Sequence, residues 1–239
     1  GLGDVYKRQW YGSISLRFCH GGRAIDCAAK YALGGGAWSW EAAIGVELIR
    51  CEATRAFSGS TTGDGFNAHS TTEGPALAKH TVATLIDCWS HDNNDDGYSD
   101  HERCETTIIG GLFEYNVKAG LTPAYGCHDT IYNAYCRKQV NSGIALVGGA
   151  TEAEGGRGSQ IFVIGCICEN NKNNFYVSGD KSGKDENFGK FVNCISLNGT
   201  QYGYLCGANA RIELNNCKDS GSPTAKSGNI VVSNAALVE

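Results

Sequence analysis

The chain has 239 residues, a net charge of −5, 33 Gly, 3 Pro, 12 Cys and no Met. The negative balance excludes the basic footprint of a nucleic-acid binder, and no apolar run is long enough for insertion into a membrane. Abundant Gly with little Pro suits an ordered fold of many tight turns better than a disordered linker.

In chain order, residues 1–9 come first. Asp4-Val5-Tyr6-Lys7-Arg8-Gln9 reads as translated adapter DNA. With the missing Met, the expectation is that 1–9 are non-native and that 10–239 form one domain of a larger protein. A short motif then recurs: an apolar pair, a small or polar residue, and a pivot. It ends at Cys27, Cys51, Cys88, Gly111, Ala134, Cys166, Cys194 and Asn216. The pivots are spaced by 24, 37, 23, 23, 32, 28 and 22 residues. A floor near 22 with variable excess predicts a solenoid with loops inserted at its corners. The predicted fold is all-β, a right-handed single-stranded parallel β-helix of about eight coils of 22 or more residues.

Two further columns support this. Nine residues after a pivot stand Gly97, Gly120, Gly143 and Gly203. Five residues after a pivot stand Asn93, Asn116, Gln139 and Asn171, which reads as an amide ladder at a turn. The pivot cysteines read as a reduced internal stack, one thiol per coil at roughly 4.8 Å. Cys104 and Cys127 each follow a pivot by 16 residues, so they neighbour each other, and a disulfide there stays open. No metal site is expected, because the Cys/His spacing of zinc motifs is missing. Strand alternation, carried unbroken through the pivot, places Ile86, Ile109, Tyr132, Ile164, Val192 and the cysteines on one face. The other face then carries Leu48, Leu85, Ile108, Ile131, Val163 and Phe191, with Trp89, Leu112, Tyr135, Ile167 and Ile195. Both faces are apolar, so one is expected to be covered by partner chains, most simply as a homotrimer.

The run Asp87-Cys88-Trp89-Ser90-His91-Asp92-Asn93-Asn94-Asp95-Asp96-Gly97-Tyr98-Ser99-Asp100-His101-Glu102, followed by Gly110-Gly111-Leu112-Phe113-Glu114-Tyr115-Asn116, carries a family resemblance. It resembles the pectate-lyase-like right-handed β-helix superfamily, and within it bacteriophage tail-spike and tail-fibre β-helices. The resemblance implies a homotrimer, assembled in the host cytoplasm into the virion tail, that binds or cuts a bacterial surface polysaccharide. Asp95-Asp96-Gly97 also resembles the paired aspartates of polygalacturonase-type hydrolases. The later Gly-His-Gly and Arg-Ile-Lys motifs have no counterpart, and Ala210-Arg211-Ile212-Glu213 departs from them, so that mechanism is not carried over.

Polar groups concentrate in residues 89–137. The candidate catalytic residues are Asp96, Asp100, His101, Glu102 and His128. A hydrolase needs two carboxyl groups in opposite protonation states, which acid crowding supplies. A lyase needs a base and a cation, for which His101, His128 and Arg137 serve. The candidate substrate-binding residues are Trp89, His91, Tyr98, Glu114, Tyr115 and Arg137, with the aromatics stacking on sugar rings. His91, Glu114 and Arg137 each follow a pivot by three residues, and Glu105 and His128 each precede one by six, giving two stacked columns. No cofactor is required, although the oxygens of Asn93–Asp96 suit Ca²⁺. Two other readings stand beside the polysaccharide-active tail spike: a non-catalytic tail-fibre shaft, and a secreted bacterial polysaccharidase.

Overall fold

The residue before each pivot controls the architecture. In the computed structural model, which describes residues 5–6, 9–11, 13–33, 35–57, 63–70, 81–148, 158–179 and 186–233, that residue has a positive φ in every coil. Asp26, Arg50, Asp87, Gly110, Asn133, Gly165, Asn193 and Asn216 lie between +49° and +67°. Asp, Asn and Gly are the residues that tolerate this left-handed conformation best. One such residue bends the strand sharply, and the next strand begins just after the pivot.

Three parallel sheets result, and no helix occurs among the described residues. Sheet A has ten strands, including Val82–Ile86, Glu105–Ile109 and His128–Tyr132. Sheet B has nine three-residue strands, including Trp89–His91, Leu112–Glu114 and Tyr135–Arg137. Sheet C has nine, including Phe66–His69, Tyr98–His101, Ala119–Pro123 and Ser142–Leu146. The chain visits A, B and C in turn, and each strand pairs in parallel with its counterpart one coil on. This is the predicted right-handed parallel β-helix. Nine full coils and the first strand of a tenth are described. Val5–Tyr6 and Gln9–Tyr11, within or beside the segment read as non-native, pair at the end of sheets A and B.

The coil register follows the pivots with one correction. Val192 pairs with Asn215, which places Cys217, not Asn216, beneath Cys194. Asn216 is the left-handed residue of that corner. All twelve cysteines are free thiols, and all but Cys19 are buried. Each later pivot thiol donates to a carbonyl of the preceding coil, as from Cys51 to Ala24 at 3.4 Å, Cys88 to Leu48 at 3.3 Å and Cys194 to Val163 at 3.4 Å.

The amide ladder is present, with a different chemistry from the side-chain pairing expected. Asn93 Nδ2 donates to Asn116 Oδ1 at 2.9 Å. Beyond that the side-chain oxygen mainly accepts from the backbone of the coil before. Asn116 N donates to Gln139 Oε1 and Gln139 N to Asn171 Oδ1, both at 2.8 Å. The glycine column is a close approach: a Cβ on Gly120 would stand 2.7 Å from the Gly143 carbonyl oxygen and 3.0 Å from Cys136 Sγ.

The left-handed corner also reverses the alternation, which corrects the assignment of faces. Leu48, Leu85, Ile108, Ile131, Val163 and Phe191 point inward together with the pivot cysteines. Ile86, Ile109, Tyr132, Ile164 and Val192 point outward, as do Trp89, Leu112, Tyr135, Ile167 and Ile195. An apolar stripe therefore remains outside, flanking the A–B corner, with Trp89, Ile109 and Tyr132 between 36% and 41% exposed.

Candidate functional site

The fold distributes the sequence-predicted residues over three outer faces and the lumen. Tyr98 and Asp100 point inward from sheet C and are fully buried. They cannot meet a polymer, because alternation along Tyr98–His101 turns only Ser99 and His101 outward. The lyase set is also separated. His101 is on the outer face of sheet C, His128 on that of sheet A and Arg137 on that of sheet B. Corners intervene between all three, so they form no common site.

Trp89, His91, Glu114 and Arg137 do assemble, on the outer face of sheet B, with Tyr115 at its edge. His91, Glu114 and Arg137 share one register column. The Trp89 ring stacks on His91 at 3.9 Å, and its Nε1 donates to Glu114 Oε1 at 3.1 Å. Arg137 Nε donates to Glu114 Oε2 at 2.8 Å, and Lys138 Nζ donates to the Tyr115 hydroxyl at 2.7 Å. His91 faces Glu52 at 3.2 Å and Asp92 at 2.8 Å, and Lys30 closes on Glu52 at 2.9 Å. These charges satisfy one another. The face offers a partly aromatic platform.

The poised groups lie around a cavity of about 480 Å³ beside the outer face of sheet C. Asp96 is in it, with Asp95 and a residue that sequence reasoning missed, Asp64. Phe66 pairs with Tyr98, so Asp64-Gly65 sits directly below Asp96-Gly97. Asp64 Oδ1 accepts from Asp96 N at 3.1 Å, and Asp96 Oδ1 accepts from Ala119 N at 2.9 Å. Asn67 Nδ2 donates to Asp64 Oδ2 at 2.6 Å. One oxygen from each of Asp64, Asp95 and Asp96 lies within 4.8 Å of the other two. Lys118, one coil above, places Nζ 2.7 and 2.8 Å from the two oxygens of Asp95.

Burial and mutual charge separate the three acids. Burial, then the Asp95 and Asp96 surroundings, dominate. Desolvation and the Asp95 charge push Asp64 up to about 6. Desolvation and the charges of Asp64 and Asp95 hold Asp96 well above the usual carboxylate range. Asp95 is raised by desolvation, against which the Lys118 ammonium works. Burial pulls Lys118 down, but the hydrogen bond to Asp95 and the three carboxylates leave it raised and charged. One carboxyl whose pKa is pushed up by burial beside another that a lysine stabilises as a carboxylate is the kind of asymmetry that glycoside hydrolysis uses. The Ca²⁺ reading of Asn93–Asp96 fits poorly. Asn93 Oδ1 accepts from Ala56 N at 3.0 Å, and Lys118 already supplies Asp95 with a cation.

Aromatic rings line the same side. His69, His101 and Tyr125 stack along the outer face of sheet C, with centroids 4.8 and 5.4 Å apart. His101, Tyr125, Tyr176, Asn141 and Asn173 reach the cavity wall. Glu102, the remaining candidate acid, accepts from or pairs with His69 Nδ1 at 2.9 Å and so belongs to the rim.

No protein-family model matches the chain, and no curated protein matches it. Among solved structures, the A-module of mannuronan C-5 epimerase AlgE6 from Azotobacter vinelandii aligns with 100% of this chain and 91% of its own, at 13% identity and a TM-score of 0.37. A likeness that loose carries no functional argument, and the β-helix rests on the chain's own strand pairing.

Proposed function

We propose that the chain hydrolyses a polysaccharide at the Asp64–Asp95–Asp96 cavity, as the β-helix of a trimeric, tail-spike-like protein directed at a bacterial surface glycan. The observation that carries this reading is the cluster of three adjacent carboxyl groups on a cavity wall, of which Asp95 alone is ion-paired with Lys118. Asp96, its pKa pushed up by burial, is the acid placed to protonate the leaving glycosidic oxygen. The Asp95 oxygen, within 4.8 Å of it and ion-paired with Lys118, stands at the short separation of a retaining pair. Asp95 therefore attacks the anomeric carbon as that oxygen leaves. Water, deprotonated by Asp96, then hydrolyses the glycosyl ester and restores both groups, while Asp64 supplies negative charge for the oxocarbenium-like transition state. The His69–His101–Tyr125 stack and Tyr176 give sugar rings an apolar surface, and Asn141 and Asn173 give hydroxyl groups partners. The outer stripe of Ile109, Tyr132 and Trp89 is the surface proposed to meet the other two subunits.

A second reading has its own observation. Asp64 and Asp96 cap backbone N–H groups of the next coil, as the amide ladder caps those of the coil before. A non-catalytic shaft would use them for that alone. Incubation with a panel of capsular and cell-wall polysaccharides separates the readings. Reducing ends without ultraviolet absorbance from unsaturated sugars support hydrolysis. Both signals together would indicate elimination and reject this assignment, and neither signal would support the shaft.

A further inference from the structure

Inside the lumen, where sheet C turns into sheet A, lies a polar cluster that the cavity does not use. Asp100 points inward from sheet C. Cys104 and Cys127 stand at the same corner in successive coils, and Asp129 points inward from sheet A. Asp100, Cys104 and Cys127 have no exposed surface and Asp129 has 1%. One oxygen of Asp100 and the two sulfurs lie within 4.8 Å of one another. Asp100 Oδ1 accepts from Ala124 N at 3.3 Å. Oδ2 is buried and meets no donor at hydrogen-bonding geometry, although Asp129, the Cys127 thiol and the Tyr98 hydroxyl all lie beside the Asp100 carboxyl group. Asp129 abuts Asp100 and is held by Thr106 N at 2.9 Å and the Tyr98 hydroxyl at 3.4 Å.

The Cys104 thiol donates to the His101 carbonyl at 2.9 Å, but a fully buried carboxylate oxygen that meets no donor is costly unless something pairs it. A disulfide would join the sulfurs and leave Asp100 Oδ2 unmet. A cation would serve all three groups. We propose that Cys104, Cys127 and Asp100 bind a thiophilic divalent cation of the zinc class, with Asp129 as the outer partner that orients Asp100. Zinc bonds of about 2.0–2.3 Å place tetrahedral ligands about 3.5–4 Å apart, so closing the site needs side-chain adjustments of about an ångström. Binding releases the two thiol protons and any proton on Asp100 to solvent. The ligands escape the spacing rules for zinc motifs because coil length sets their separation: Cys127 follows Cys104 by 23 residues. Since the site is enclosed, the cation enters during folding.

The test is to refold the chain under reducing conditions with and without Zn²⁺ or Co²⁺, desalt it and measure bound metal. One cation per chain is expected, with thiolate-to-cobalt charge-transfer absorption for the Co²⁺ form. Asp129→Asn weakens zinc affinity about 10–100-fold while the ligands remain. Cys127→Ser abolishes the charge-transfer band, and Cys217→Ser, at another lumenal position, leaves it intact. Folded wild-type protein that retains no metal would overturn the proposal. So would a Cys104–Cys127 disulfide in non-reduced peptide maps, or a cobalt band unaffected by Cys127→Ser in folded protein.

Discussion

Asp64 couples stability and function at a single carboxyl group. Its folded pKa of about 6 exceeds the ordinary 3.8, so folding favours the protonated form. The stabilising preference is full below pH 3.8 and is lost as pH rises through about 6. Asp64→Asn, which is neutral at every pH, is expected to match wild type in acid and to exceed it above pH 6, by on the order of 3 kcal/mol at most. Denaturant titrations at pH 4 and 7.5 check this; a variant less stable at both would show that the Asp96 N–H and Asn67 contacts outweigh the charge. The same titration predicts that glycan cleavage by wild type declines as pH falls through about 6, because Asp64 becomes neutral. Asp96→Asn removes the proton donor, and a loss of about 10²–10⁴-fold in kcat is expected with substrate binding retained.

At the scale of the element, the ladder and the glycine column set the coil register. Asn116→Ala leaves the buried Asn93 backbone N–H without its partner and takes one of three acceptors from the Asn93 amide, and a loss of about 1–3 kcal/mol in chemical denaturation is expected. Gly120→Ala drives a methyl into the Gly143 carbonyl and the Cys136 thiol, and a similar loss is expected. These columns were legible in the sequence because turns demand particular residues at fixed offsets. Two things were not. A left-handed residue in each corner reverses the faces, and Asp26 or Asn133 in a sequence does not announce that the next side chain stays inward. Asp64 was missed because its coil carries a long insertion, so it does not stand at the usual distance from Cys51. Its signal was present as Asp64-Gly65-Phe66, which repeats the pattern of Asp96-Gly97-Tyr98. Conversely, Tyr98 and Asp100 looked available because composition shows polarity, and only strand parity shows direction.

On the scale of the whole molecule, a column of buried thiols runs along the lumen. Burial pushes Cys51 up to about 11 and Cys88 and Cys166 up to about 12. Apart from the partly exposed Cys19, the thiols of reduced native protein are therefore expected to react slowly with thiol reagents at pH 8, and fast only after unfolding. The outer stripe makes a separate prediction. Light scattering should give the mass of three chains, and Ile109→Lys should give the mass of one; a monomeric wild type would remove the trimer. The central claim, hydrolysis at the cavity on sheet C, is tested most directly by mass spectrometry of oligosaccharides released by wild type and Asp96→Asn in parallel. The account predicts saturated, water-added fragments from wild type and essentially none from the variant. Equal release by both, or fragments with unsaturated ends, would contradict it.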